Sequence, residues 1–91
     1  MRHSDYEAIR VLYPALRAFA CVIAGPNDDP DDLVQDALFR VLRRGSVTDL
    51  DEPIVYLRRV MLNLARDRRR SLQRRLVALV RLGPPGSSID V

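Results

Sequence analysis

PIVYLRRVMLNLARDRRRSLQRR, residues 53–75, decides the fold. A proline opens the stretch, and Leu57, Val60, Met61, Leu64 and Ala65 then recur at helical spacing as one apolar stripe. The opposite arc carries Arg58, Arg59, Leu62, Asn63, Arg66, Arg69, Arg70 and Gln73. A helix of this kind must bury one side against other helices and leave the other to solvent or a partner. The spacing predicts it from about residue 54 to 75. Arg68 falls on the apolar side, which predicts that the helix has outrun its core by that point.

On the C-terminal side, Leu72, Leu76 and Leu79 continue an apolar stripe, so residues 76–82 are expected either to fold back as a fourth helix or to need a partner. Residues 83–88, GPPGSS, read as a linker by composition. The expected organisation is a helical domain over residues 4–75, then an extension and linker over 76–91 leading toward a further domain. A linker that joins nothing suggests a truncated parent chain or a naturally short relative.

On the N-terminal side, residues 46–52 hold turn formers and acids and read as an ordered loop. Before it, Asp28-Asp29-Pro30-Asp31-Asp32 has the features of a helix start: an aspartate cap, a proline in the first turn and carboxylates at the positive dipole end. That helix closes on Arg43, Arg44 and Gly45. A first helix starts at Ser4, where Ser4 and Glu7 match a capping box, and carries Ile9, Leu12, Tyr13, Leu16, Phe19, Ala20 and Ile23 on one side. Pro14 inside it should kink it, and Cys21 is expected in its buried stripe. The fold predicted is all-α, a bundle of three main helices with room for a fourth.

A chain of 91 residues suits one domain with a modest core. Its single cysteine cannot form an internal disulfide, and its one histidine, His3, is terminal, so neither a metal nor a cofactor is expected. No apolar run approaches the roughly 20 residues that span a bilayer, and no signal core follows the N-terminus, which predicts a cytoplasmic protein. An enzyme fails on inventory, for want of a base, a nucleophile or a phosphate loop. The acidic run at residues 28–32 lacks calcium-loop spacing and suits capping instead.

Charge is split along the chain. Residues 1–52 hold six Arg against ten Asp and Glu, and residues 53–91 hold nine Arg against two. All 15 basic residues are Arg, which suits bidentate phosphate contacts, although a GC-rich genome would give the same bias. Six arginines within residues 66–75 exceed what solubility requires and predict salt-sensitive binding to nucleic acid; a solvated basic face or an acidic protein partner is the competing reading.

The second helix sets Leu33, Val34, Ala37, Leu38, Val41 and Leu42 on one half and Asp32, Gln35, Asp36, Arg40 and Arg43 on the other, with Phe39 among the charges. An aromatic on a charged face marks a protein interface, unless Phe39 packs under the loop that follows Gly45. Asp32 and Asp36, one turn apart, repel each other, and a basic partner would relieve that cost.

Asp31-Asp32-Leu33-Val34-Gln35-Asp36 followed by Arg40 resembles the acidic DLVQE-type motif of bacterial sigma factors. Pro53, Tyr56, Leu57, Val60, Asn63 and Asp67 fall at the spacing of the P..WL..I..N...D pattern of extracytoplasmic-function sigma factors, with tyrosine replacing the commoner tryptophan. The resemblance covers roughly residues 10–75 and corresponds to that family's region two. It implies that Asp32, Gln35, Asp36, Phe39 and Arg43 dock on the clamp helices of the polymerase beta-prime subunit. It further implies that the loop with Ser46, Thr48 and Asp49 captures a base flipped from the minus-ten element, and that Tyr56, Arg59, Asn63, Arg66, Arg69 and Arg70 hold promoter DNA. The preferred DNA is the non-template single strand, the protein is expected to be monomeric, and an anti-sigma factor is a family expectation. Tyr56 is the third helix's only aromatic, and anchoring that helix to the core is its more expected role. The family's C-terminal helix-turn-helix has no counterpart in these residues. Two further readings stay open: a module that dimerises through Leu72, Leu76 and Leu79, and a conventional duplex-DNA binder.

Overall fold

Three helices carry the chain in the computed structural model, which describes residues 3–82: α1 (His3–Ile23), α2 (Pro30–Arg44) and α3 (Pro53–Leu82), with a 3-10 turn at Val47–Asp49. No strand occurs among the described residues, and the all-α, three-helix expectation holds. The GPPGSS segment expected as a linker lies outside the described residues.

The start of α2 follows its local chemistry. Asp29 sits in extended backbone and accepts the amide of Asp31 at 3.0 Å, and Pro30 occupies the first turn, where a missing N–H costs nothing. At the other end, the Gly45 amide bonds the Val41 carbonyl at 3.1 Å. Gly45 has φ 173°, extended backbone open to any residue, so this glycine ends the helix without using its conformational freedom.

Each helix contributes its apolar stripe to one core. Leu16 and Ala20 of α1, Leu33, Val34, Ala37, Leu38 and Val41 of α2, and Leu57, Met61, Leu64 and Ala65 of α3 are buried, with Val47 from the 3-10 turn. Ile9, Leu12, Tyr13, Phe19, Ile23, Leu42 and Val60 pack half-buried around them. The α1–α2 turn is fixed by the Gly25 amide, which bonds the Asp28 carboxylate at 3.2 Å. Beside it the Tyr13 hydroxyl and the Arg17 guanidinium both donate to Asp31 Oδ1, at 2.9 and 3.0 Å. Burial, and then the carboxylate of Asp31, push the Tyr13 phenol above its usual pKa.

Several local expectations give way to tertiary ones. Ser4 lies inside α1 rather than capping it, and Glu7 pairs with Arg10 at 3.5 Å instead of reaching back to a cap. Residue 5 takes the structural role: Asp5 is buried, and its Oδ1 accepts the Ser46 hydroxyl at 2.6 Å and the Val47 amide at 2.8 Å. Cys21 is exposed, one turn from Arg17, whose guanidinium reaches its sulfur at 3.6 Å. The helix continues through Pro14.

The largest difference concerns α3, which does not end near residue 75 but runs on as one helix of 30 residues, so that residues 76–82 extend it and do not fold back as a fourth. Neither Gly nor Pro interrupts residues 54–82, so nothing local stops it. At 1.5 Å per residue it is about 45 Å long. Among the described residues none beyond Ala65 is buried, and the C-terminal half of α3, once past Arg68, runs on from the bundle and stretches the molecule to 59 × 24 × 18 Å. Leu72, Leu76, Leu79 and Leu82 are exposed on that half.

Arg68 sits where the bundle ends, and ion pairing explains why it shares the core-facing side. Its guanidinium pairs with Asp36, lies 3.6 Å from Asp32 and reaches Asp28 at 4.0 Å. A single cation thus sits among three carboxylates, one just before α2 and two within it, offsets part of their mutual repulsion and fastens α3 to the start of α2. The cluster is partly solvated, so its contribution falls below that of a fully buried pair. Arg68→Ala is expected to lower stability by about 1–2 kcal/mol in urea denaturation, because three like charges remain on one face. An unchanged midpoint would contradict that role.

Candidate nucleic-acid interface

The helices α2 and α3 run antiparallel, which sorts charge along the seam between them. At the start of α2 lie Asp28, Asp32 and Asp36, held by Arg68. At its end, Arg40, Arg43 and Arg44 line a cleft with Val41 of α2 and Tyr56, Val60 and Asn63 of α3. Acids at a helix start and cations at its end suit the dipole, which accounts for part of this pattern. The dipole does not account for three exposed arginines with no ion pair among the described residues, gathered around a tyrosine and an asparagine. Such a cleft offers charge for a phosphate, an aromatic face for a base and an amide for a base edge.

Tyr56 is therefore not the core anchor expected of it. It is 36 % exposed, stands outside the buried cluster and faces the cleft. Arg43, expected at the protein-docking surface, lines the same cleft. Sequence reasoning left Arg40 and Arg44 out of the site altogether. Their spacing showed only that they share a side of α2, and the antiparallel approach of α3 is what brings Tyr56 and Asn63 to them.

Tyr56, Arg59, Asn63, Arg66 and Arg70 are all exposed and fall within an arc of about 80° on α3, so one continuous face presents them. Arg69 is exposed too, but lies about 60° outside that arc. Arg58 leaves the set by another route, resting over the Phe19 ring at 5.3 Å from its centroid.

The loop before α3 is held from below. Ser46 is buried and its single hydroxyl proton goes to Asp5, so the Thr48 hydroxyl, 2.7 Å away, donates to Ser46 Oγ, as does the Thr48 amide at 3.2 Å. With its oxygen fully engaged, Ser46, expected among the DNA-binding residues, supports the loop from within. Thr48 and Asp49 are exposed at the loop's surface.

On the outward side of α2, Phe39 is 66 % exposed, so it does not pack under the following loop. Asp32 and Gln35 are exposed near it, and Asp36 is half-buried with Arg68 as partner. The like-charge cost of Asp32 and Asp36 is thus relieved within the chain.

Among the described residues no cluster of His, Cys, Asp and Glu could hold a metal ion, and no helix is long and apolar enough to cross a membrane. A family model described as Sigma-70 region 2 matches residues 8–75, most of the chain and all of the surfaces above. Comparison with curated proteins and with solved structures gives no significant match to either.

Proposed function

The chain belongs to the sigma-70 region 2 family, the non-enzymatic helical domain that serves transcription initiation, and on that premise we propose how its two surfaces divide the work. The outward side of α2, with Asp32, Gln35, Asp36 and Phe39, docks on the clamp helices of the beta-prime subunit of core RNA polymerase. The cleft between α2 and α3 and the face of α3 from Tyr56 to Arg70 hold the minus-ten element, with the non-template single strand preferred over duplex. The observation that carries this reading is the arginine-lined cleft around Tyr56 and Asn63, beside an exposed phenylalanine on an acidic face.

Each part has a physical task. Flipping a base out of a duplex costs a few kcal/mol, and stacking on an aromatic returns about 1–3 kcal/mol per base. Exposed Tyr56 is the side chain of α3 able to supply that stacking, with Asn63 about two turns along for a base edge. Thr48 and Asp49 present polar groups on a loop that Asp5 holds in place, the arrangement a captured base requires. Arg40, Arg43, Arg44, Arg59, Arg66 and Arg70 neutralise the backbone, and Arg69 assists from the side. The spaced motifs favour an extracytoplasmic-function type, acting in the cytoplasm as a monomer apart from polymerase and open to control by an anti-sigma factor. Residues 4–75 are the working domain in this reading.

Salt dependence tests the DNA surface. With a labelled single-stranded oligonucleotide, Arg66→Ala combined with Arg70→Ala is expected to weaken binding and to flatten log K against log[salt] by about 1.4, two single-strand phosphate contacts. An unchanged slope would move the site elsewhere.

A further inference from the structure

Arg68 and the proposed docking surface claim the same carboxylates. At 100° per residue around α2, Asp32 lies about 20° and Asp36 about 60° from Phe39, so all three border the outward side. Arg68 comes to them from the other side, where α3 packs: it pairs with Asp36 and stands 3.6 Å from Asp32 and 4.0 Å from Asp28. Its side chain is 25 % exposed, against 49 % for Asp36 and 61 % for Asp32. The cation thus fills the inner flank of the row and leaves the outer flank open. Arg40, one turn beyond Asp36, would be the local source of a counter-charge, but it lines the cleft with Tyr56 and Asn63. The chain instead meets these carboxylates with a cation from 32 residues away.

We propose that Arg68 is an internal competitor for the docking carboxylates, holding Asp32 and Asp36 until better-placed cations of core polymerase take them, and that it thereby sets the affinity and selectivity of docking. This rests on the reading of the outward side of α2 as the polymerase surface. The argument is one of linkage. Repulsion that Arg68 already relieves in the free chain is no longer there for a partner's cation to relieve, so each ligand of the row weakens the other. One cation among three carboxylates still leaves two negative charges unmatched, and the surface goes on attracting a basic partner. A partner with a single cation only duplicates Arg68. One that brings several, with an arginine able to grip a carboxylate through two bonds, gains what Arg68 cannot supply. The opposite effect, in which Arg68 aids docking by fixing the carboxylates in place, is the smaller one, since a short aspartate side chain on a helix has few rotamers to lose.

The test titrates the labelled full chain with core polymerase at two salt concentrations, at a temperature where circular dichroism shows each variant folded. Arg68→Gln is expected to tighten docking by about fivefold, the low end for coupled sites, and to steepen its fall with salt, because three uncompensated carboxylates then face the partner. Arg68→Lys keeps the charge without the forked geometry, so it should tighten docking less; it decides alone if Arg68→Gln does not fold. In an Asp36→Asn background, Arg68→Gln should gain less, because the shared carboxylate is gone. Unchanged affinity in the folded variants would overturn the proposal and leave Arg68 as a fastener of the fold. Weaker affinity would also overturn it, by making Arg68 an aid to docking. Phe39→Ala separates the inference from the reading beneath it. Affinity lost there, with none gained at Arg68, fails the inference alone, whereas docking indifferent to Phe39→Ala fails the docking reading and the inference with it.

Discussion

Asp5→Ala is expected to lower the stability of the domain by about 3 kcal/mol, within a typical total of about 5–15 kcal/mol for a whole domain. Asp5 is 3 % exposed, and its Oδ1 accepts both the Ser46 hydroxyl and the Val47 amide, with Val47 fully buried. Truncation to alanine leaves the buried Val47 amide with no acceptor and little water, and leaves the Ser46 hydroxyl only the Thr48 hydroxyl, 2.7 Å away, to turn to. Such an orphan costs about 1–3 kcal/mol, more than the net gain from making the bond, because desolvation is no longer offset. For a domain of this size the melting midpoint should fall by more than about 10 °C. Asp5→Asn keeps Oδ1 and should retain more stability than Asp5→Ala. The damage should reach DNA binding as well, since Asp5 supports the loop that presents Thr48 and Asp49. Urea denaturation of the two variants measures it, and midpoints equal to that of the unaltered chain would refute the role.

Nothing in the sequence near residue 5 announces this. The partner lies 41 residues away, and the local pattern around Ser4 and Glu7 suggests an ordinary helix cap. The same limit explains Arg68. Helical periodicity shows that it faces the bundle, but only the antiparallel approach of α2 supplies the carboxylates of Asp32 and Asp36 that make the position favourable. Features set by neighbours in the chain were legible: the cap at Asp29, the proline starts of α2 and α3, and the apolar stripes with Leu33, Val34, Leu57 and Met61. The length of α3 was misread for a different reason. The apolar stripe stops being buried after Ala65, which looks like a helix end, yet propensity alone carries an Arg- and Leu-rich helix onward without a core. At the candidate site, the expected α3 residues Tyr56, Asn63, Arg66 and Arg70 lie together because one helix face orders them. Arg40 and Arg44 were missed because they belong to a second helix.

Phe39→Ala is expected to weaken docking on core polymerase by about 2 kcal/mol, close to thirtyfold, with little change in fold stability. Large aromatics at the centre of interfaces bury much area at little entropic cost, and Phe39 at 66 % exposure stands outside the core cluster, so truncation opens no cavity. Charge reversal at Asp36 would be a poorer probe of the same surface. It would set a second cation against Arg68 and so disturb the fold together with any interface. Phe39→Ala confines the change to the surface. Unchanged affinity for polymerase would take the docking site off this side of α2.

Docking on polymerase is the claim from which the rest of the functional account proceeds. It is tested most directly by titrating the fluorescently labelled chain with core RNA polymerase at moderate salt, with unlabelled chain as competitor. The account predicts saturable binding, reversed by the competitor and shifted to about thirtyfold higher polymerase concentration for Phe39→Ala. No saturable binding, or binding that Phe39→Ala leaves untouched, would contradict it.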